Sequence, residues 1–261
     1  ALGKLIITDR KKLAILAIDP SSRRSKGSIM GDKTRMEALT ANPDVYIRPS
    51  PSGTSLGGVA RKTREASVLC EAAGYNIICI ETVGVGQSET AVHSMTDLFL
   101  LLMLPGAGDE LQGIKRGITE MADIIAVNKA DGRLMQKAEL AKRDLENALQ
   151  LFPPEESGWK PRVLTCSSLN NQGITELWEN MNEYFRFVTD NGYLIKRRSQ
   201  QALYWMKEAI RNNLHDHFYN SPTVQKQIRQ AEKDVANGKV NPFTAANRLL
   251  ESYLSRRKKI R

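Results

Sequence analysis

Cysteine is scarce in this sequence. Cys70, Cys79 and Cys166 are the only three in 261 residues, too few and too scattered for a disulfide framework, which points to a reducing compartment. No Cys-x-x-Cys pair or Cys/His cluster occurs, so nothing suggests zinc. Long apolar runs are missing too. The longest, Leu98 to Leu104, has strand length and falls far short of the ~20 residues of a membrane span. No secretory or transit pattern precedes the first predicted element. The expectation is a soluble cytoplasmic protein with no membrane partner. Aromatic residues make up 6% of the chain and are not interleaved with its cations as a nucleic-acid stacking surface would be. The net charge of +9 sits in the tail: residues 195 to 261 hold 15 Lys+Arg against 5 Asp+Glu, while the rest is nearly balanced. A solvated helical face accounts for that excess, and no nucleic-acid partner is expected.

What is present is an alternation of strand-length apolar runs with helical spacing. The first twelve residues read as the end of a helix, so the chain opens in mid-element. Leu13 to Ile18 is a continuous apolar run of buried-strand type that stops at Asp19-Pro20-Ser21-Ser22. Further strands are predicted at 45–48, 76–80, 98–104, 124–127 and 162–166, with helices at about 59–73, 111–121, 134–151 and 174–188. Strands alternating with helices imply an α/β fold, a parallel sheet flanked by helices. Past Asn191-Gly192 only helical spacing remains. Leu203, Met206, Ile210, Leu214 and Phe218 share one face, Pro222 starts a second helix and Pro242 a third. The division expected is a nucleotide-binding domain over 1–192 and a helical extension over 193–261.

The chemistry concentrates at strand ends. Glu81-Thr82-Val83-Gly84-Val85-Gly86-Gln87-Ser88 follows the apolar run Asn76 to Ile80, which places a carboxylate and bare backbone amides at the sheet edge where α/β proteins bind ligands. That combination suits a nucleotide phosphate with its Mg²⁺. Asn128-Lys129-Ala130-Asp131 ends the next strand but one. A carboxylate there can accept from N1–H and N2–H of guanine, whereas adenine offers no matching donors. Cys166-Ser167-Ser168 ends the last strand, where a small polar loop would touch the base. Asp19 and Asp32 are turn or cap residues taken singly; with Glu81 they make three acids for one Mg²⁺. Gly84 is the candidate sensor of a γ-phosphate. Missing altogether is Gly-x-x-x-x-Gly-Lys-Ser/Thr, the phosphate-binding loop such a layout requires; the expectation is that it lies just before Ala1 and that the chain alone turns over nucleotide poorly.

Six stretches together resemble one family: Asp19-Pro20-Ser21-Ser22, Gly31 to Met36, Ile47 to Pro51, Glu81 to Glu89, Pro105 to Lys115 and Asn128 to Asp131. They are similar to the MeaB/ArgK P-loop GTPases, chaperones of the cobalamin-dependent methylmalonyl-CoA mutase that include the methylmalonic aciduria type A protein. The resemblance implies a P-loop NTPase-like parallel sheet, a Mg²⁺-dependent GTPase working between GTP and GDP, and a mitochondrial matrix location if the source is eukaryotic. It implies Asp19, Asp32 and Glu81 at the metal and γ-phosphate, Gly84 at the switch, and Asn128, Lys129, Asp131, Ser167 and Ser168 around the base. Gly106, Asp109, Glu110, Gln112 and Lys115 would belong to a second switch loop reporting to the mutase, and the tail would form a homodimer arm. Two alternatives share the fold: an NTPase or kinase linked to lysine, arginine and ornithine transport, and a nickel-inserting metallochaperone GTPase, against which the absence of clustered Cys and His weighs.

Overall fold

The computed structural model describes residues 1–19, 36–51, 56–82, 88–106 and 116–258. Asp32, Gly84, Asp109, Glu110, Gln112 and Lys115 lie outside the described residues. The chain divides into two compact units, Ala1–Ala202 and Leu203–Arg261.

The first unit is α/β. Its strands are β1 (Leu13–Asp19), β2 (Val45–Pro51), β3 (Ile77–Thr82), β4 (Leu100–Met103), β5 (Ile124–Val127) and β6 (Arg162–Thr165). Its helices are α1 (Leu2–Thr8), α2 (Glu37–Thr40), α3 (Leu56–Ala72), α4 (Ser88–His93), α5 (Arg116–Thr119), α6 (Met135–Leu149) and α7 (Ile174–Asp190). The helix expected from Leu111 to Met121 is described only as α5. Neighbouring strands are all parallel. Among the described residues they pair in two ladders of three, ordered β2-β1-β3 and β4-β5-β6. Among the described residues β3 and β4 each pair on one side only.

Side-chain packing joins what the ladders leave separate. Ile15 and Ile47 of the first sheet share a buried cluster with Ile124, Ala126 and Leu164 of the second, under Trp178 and Met181 of α7. Ile18 meets Ile125, Val127 and Met103 in another cluster, covered by Ala138 and Leu145 of α6. Ala14 and Leu16 turn the opposite way from Ile15, onto Ala66 and Cys70 of α3. β1 from Leu13 to Ile18 and the whole of β5 are therefore apolar because helices cover both of their faces; all four residues of β5 have no exposed surface.

Helix α8 (Tyr193–Tyr219) runs unbroken across the division between the units. Its first turns are tied to the first unit by Arg197, Arg198 and Gln201, so the division falls ten residues beyond the Asn191-Gly192 turn. In the second unit α9 (Pro222–Ala236) and α10 (Pro242–Lys258) form a hairpin. Val224 and Ala245 are buried there, and Gln227 Nε2 donates to Ser252 Oγ at 3.1 Å. Tyr253 packs edge-on against Phe218, with centroids 5.1 Å apart. The apolar stripe on α8 is largely uncovered: Leu203, Met206, Ile210 and Leu214 are each more than half exposed. Among the described residues no helix is long and apolar enough to cross a membrane.

Candidate functional site

Parallel strands place all their carboxyl ends at one edge of a sheet, and those of the predicted polar residues that are described at strand ends stand there. In the second sheet β5 stops at Val127 and the chain turns. Asn128 N–H still pairs with Met103 of β4 at 2.9 Å, after which Lys129 takes a left-handed backbone, φ 63°. That conformation, costly for a residue with a Cβ, brings Ala130 N–H to Cys166 O at 2.9 Å and stitches the turn to the end of β6.

The side chains complete the stitching. Asn128 Oδ1 accepts from Lys129 N–H at 2.8 Å, and from Ser168 N–H and Ser168 Oγ, each at 3.1 Å. With its carbonyl so occupied, the Asn128 amide keeps its NH₂ for a ligand. The Ser167 hydroxyl, with no exposed surface, donates to Asp131 Oδ2 in a short hydrogen bond and accepts from Asn170 N–H at 3.2 Å. Asp131 itself is extended, φ −140° and ψ 160°, at the start of a 3₁₀ turn over Gly132–Leu134, and its carboxylate caps nothing. It is held by Ser167 with acceptor capacity to spare. A fixed carboxylate beside an amide NH₂ matches the N1–H, N2–H and N7 of guanine.

The loop after β6 is rigid by construction. Ser167 and Gln172 form an antiparallel bridge, with N···O distances of 2.9 and 3.1 Å. Gly173 then enters α7 at φ +69°, so close to Thr165 that a Cβ would lie 2.4 Å from its carbonyl oxygen. Thr165 Oγ1 donates to Glu139 Oε1 of α6 at 3.0 Å, a brace that no sequence motif announces.

The acids occupy the other sheet. Glu81 pairs in register with Ala17, and Thr82 with Ile18. Asp19, the last residue of β1, therefore follows the partner of Thr82 at the same edge. Burial, with the Glu81 charge second, pushes the neighbouring Cys79 thiol up to about 11, so it stays protonated. Among the described residues no group of three His, Cys, Asp or Glu could hold a metal ion. Two acids at one edge still match the donor set of magnesium, which binds protein through one or two carboxylates and keeps several waters. Of the expected second switch loop only Gly106 is described, exposed and at φ +84° beyond β4.

Known proteins with this sequence and fold decide the family. The family model for methylmalonyl-CoA mutase-associated GTPase MeaB matches residues 1–223. The chain belongs to the MeaB family. It is 50% identical over 242 residues to a putative GTPase of Caulobacter vibrioides, covering 93% of this chain and 74% of that protein. It is 46% identical to the mouse methylmalonic aciduria type A homolog, mitochondrial, over 97% of this chain and 61% of that one. A crystal structure of LAO/AO transport system kinase superposes with a TM-score of 0.70 at 34% identity, over 97% of this chain and 75% of that chain. For this MeaB-family chain, the fold is that of the P-loop NTPases and the activity class is GTP hydrolysis.

Proposed function

We propose that the chain is the guanine-reading and switching portion of a GTPase chaperone that loads and protects the adenosylcobalamin of methylmalonyl-CoA mutase. The cluster of Asn128, Asp131, Ser167 and Ser168 supports guanine: its free donor and its buttressed carboxylate are complementary to that base and mismatched to adenine. The client rests on membership of the methylmalonyl-CoA mutase-associated GTPase family. In this reading Asp19, Asp32 and Glu81 would hold Mg²⁺, which when bound neutralises phosphate charge, and the Gly84 N–H would bind the γ-phosphate. Asn128, Lys129, Asp131, Ser167 and Ser168 orient the base, with the Lys129 stem along its plane. Asp109, Glu110, Gln112 and Lys115 would carry nucleotide state to the mutase.

The same reading makes residues 193–261 a homodimer arm. Its support is the run of exposed Leu203, Met206, Ile210 and Leu214 on α8, an apolar surface of the kind self-association buries. Because no Gly-x-x-x-x-Gly-Lys-Ser/Thr sequence occurs among the 261 residues, slow turnover by these residues alone is expected. The test has two arms. Displacement of fluorescent GDP should favour GTP strongly over ATP, and mutase reconstituted with adenosylcobalamin should retain activity longer when the protein and GTP are present. Preference for ATP would defeat the nucleotide assignment, and an unaffected mutase would defeat the client.

A further inference from the structure

Helix α4 begins at Ser88, six residues after β3 ends at Thr82, and its last turn is extended by local hydrogen bonds. Ser94 Oγ donates to Ala91 O at 2.7 Å, Met95 N–H to Val92 O at 2.9 Å, and Thr96 Oγ1 to Val92 O at 3.1 Å. These bonds tie the turn over residues 94–96, the tail of α4, back onto the last turn of the helix. The tail is where α8 is fastened. Arg198 grips the Asp97 carboxylate with both ends of its guanidinium fork, at 3.0 and 2.6 Å, and reaches Glu71 of α3 at 3.2 Å. Gln201 Nε2 donates to Thr96 O at 2.8 Å.

A third link is left half made. His93, the last residue of α4, packs edge-on against Phe99, with ring centroids 5.7 Å apart. Phe99 N–H donates to Asp123 Oδ2 at 2.7 Å. The same oxygen faces Arg197 Nη1 at 3.8 Å, too far for a hydrogen bond. Both side chains are more than nine-tenths buried, and Arg197 Nη2 has no hydrogen-bond partner. A buried guanidinium with one arm unsatisfied and a carboxylate just out of reach is costly to leave so. A shift of less than about 1 Å would close the pair, the scale at which packed elements change between discrete arrangements.

We propose that the root of α8 receives a conformational relay. Displacement of α4 and its tail passes to α8 through Arg197, Arg198 and Gln201, with the Arg197–Asp123 pair closing in one state and stretched in the other. Since α8 is unbroken to Tyr219, a change at its root is carried along the helix. The relay rests on the GTPase reading, which makes the β3 end before α4 nucleotide-sensitive.

The test is hydrogen exchange of residues 94–99 and 194–202 in the full-length protein, loaded with Mg²⁺ and either GDP or a non-hydrolysable GTP analogue. Nucleotide occupancy is measured by fluorescence in the same samples. Exchange at 194–202 should differ by roughly threefold or more between the two states. Arg197→Met should bring that ratio to about one, with nucleotide affinity unchanged. Arg198→Lys, which keeps the charge but loses the fork, should lower it partway, and thermal melting establishes that each variant is folded. An equal exchange rate in the two states of the wild-type protein, with nucleotide bound, overturns the relay while the GTPase reading stands. An unchanged ratio in folded Arg197→Met overturns it too. Failure to bind guanine nucleotide at all overturns the GTPase reading and the relay with it.

Discussion

The buried hydroxyl of Ser167 donates to the carboxylate of Asp131, thirty-six positions earlier in the chain. The base-reading acid is thus aimed by the loop after a different strand. Ser167→Ala removes the aiming bond and leaves the carboxylate to rotate, which should weaken guanine nucleotide binding about tenfold, the effect of losing one hydrogen bond to a charged group. Asp131→Asn should do something else. It replaces an acceptor with a donor, so GTP should lose its advantage while xanthosine triphosphate, with an oxygen in place of the 2-amino group, gains. Competition against fluorescent GDP distinguishes the two outcomes.

Gly173→Ala tests the loop backbone. The added methyl would sit 2.4 Å from Thr165 O and 3.2 Å from Cys166 Cα, at a φ of +69°. Neither backbone atom can step aside without breaking the Ser167–Gln172 bridge, so the change should cost about 3 kcal/mol. Urea denaturation should show the loss as a lower midpoint with an unaltered slope. An exposed glycine with the same sign of φ, Gly238, has nothing within 4 Å of its Cβ position and serves as the control for backbone strain alone.

Buried Asp123 and partly buried His93 should give opposite pH dependences. Burial, partly offset by the Arg197 charge, raises Asp123 from 3.8 to about 6. The folded state therefore holds that proton more tightly, and the stability it confers is lost as pH rises from about 4 to 6. Burial, reinforced by the Arg197 charge, lowers His93 from 6.5 to about 4. There the unfolded state holds the proton more tightly, and stability is gained over nearly the same range. Each swing amounts to at most about 3 kcal/mol. In the wild-type protein the two largely cancel. Asp123→Asn should make stability climb between pH 4 and 6 relative to wild type, and His93→Gln should make it fall; denaturation midpoints at unit pH steps measure both.

The proposed arm can be checked without nucleotide. Ile210→Glu combined with Leu214→Glu places charge on two exposed positions of the α8 stripe, where the folded chain itself has little to lose. Sedimentation velocity should show the dimer replaced by monomer, with helix content and the melting of the first unit retained. An unshifted sedimentation coefficient would remove this stripe from the interface.

Much of the α/β unit was legible because burial on both faces demands uninterrupted apolar runs, and Leu13–Ile18 and Ile124–Val127 supply them. The base site was legible for a related reason: Asn128 directly follows such a run, Asp131 stands three residues further on, and Ser167 follows the predicted last strand, so strand order alone brings them to one edge. Helix α4 escaped notice, since Ser-Glu-Thr-Ala-Val-His has neither the length nor the spacing of an amphipathic helix. So did the anchoring of α8. Arg197 and Arg198 read as part of a solvated basic tail, and only the tertiary fold sets one against Asp123 and the other against Asp97.

The base reader is mounted on β5 and β6, and the acids Asp19 and Glu81 on β1 and β3. Guanosine, lacking phosphates, would engage the first pair of strands and leave the second untouched. Choice of base and response to phosphate number are therefore separable by which strand ends a ligand reaches.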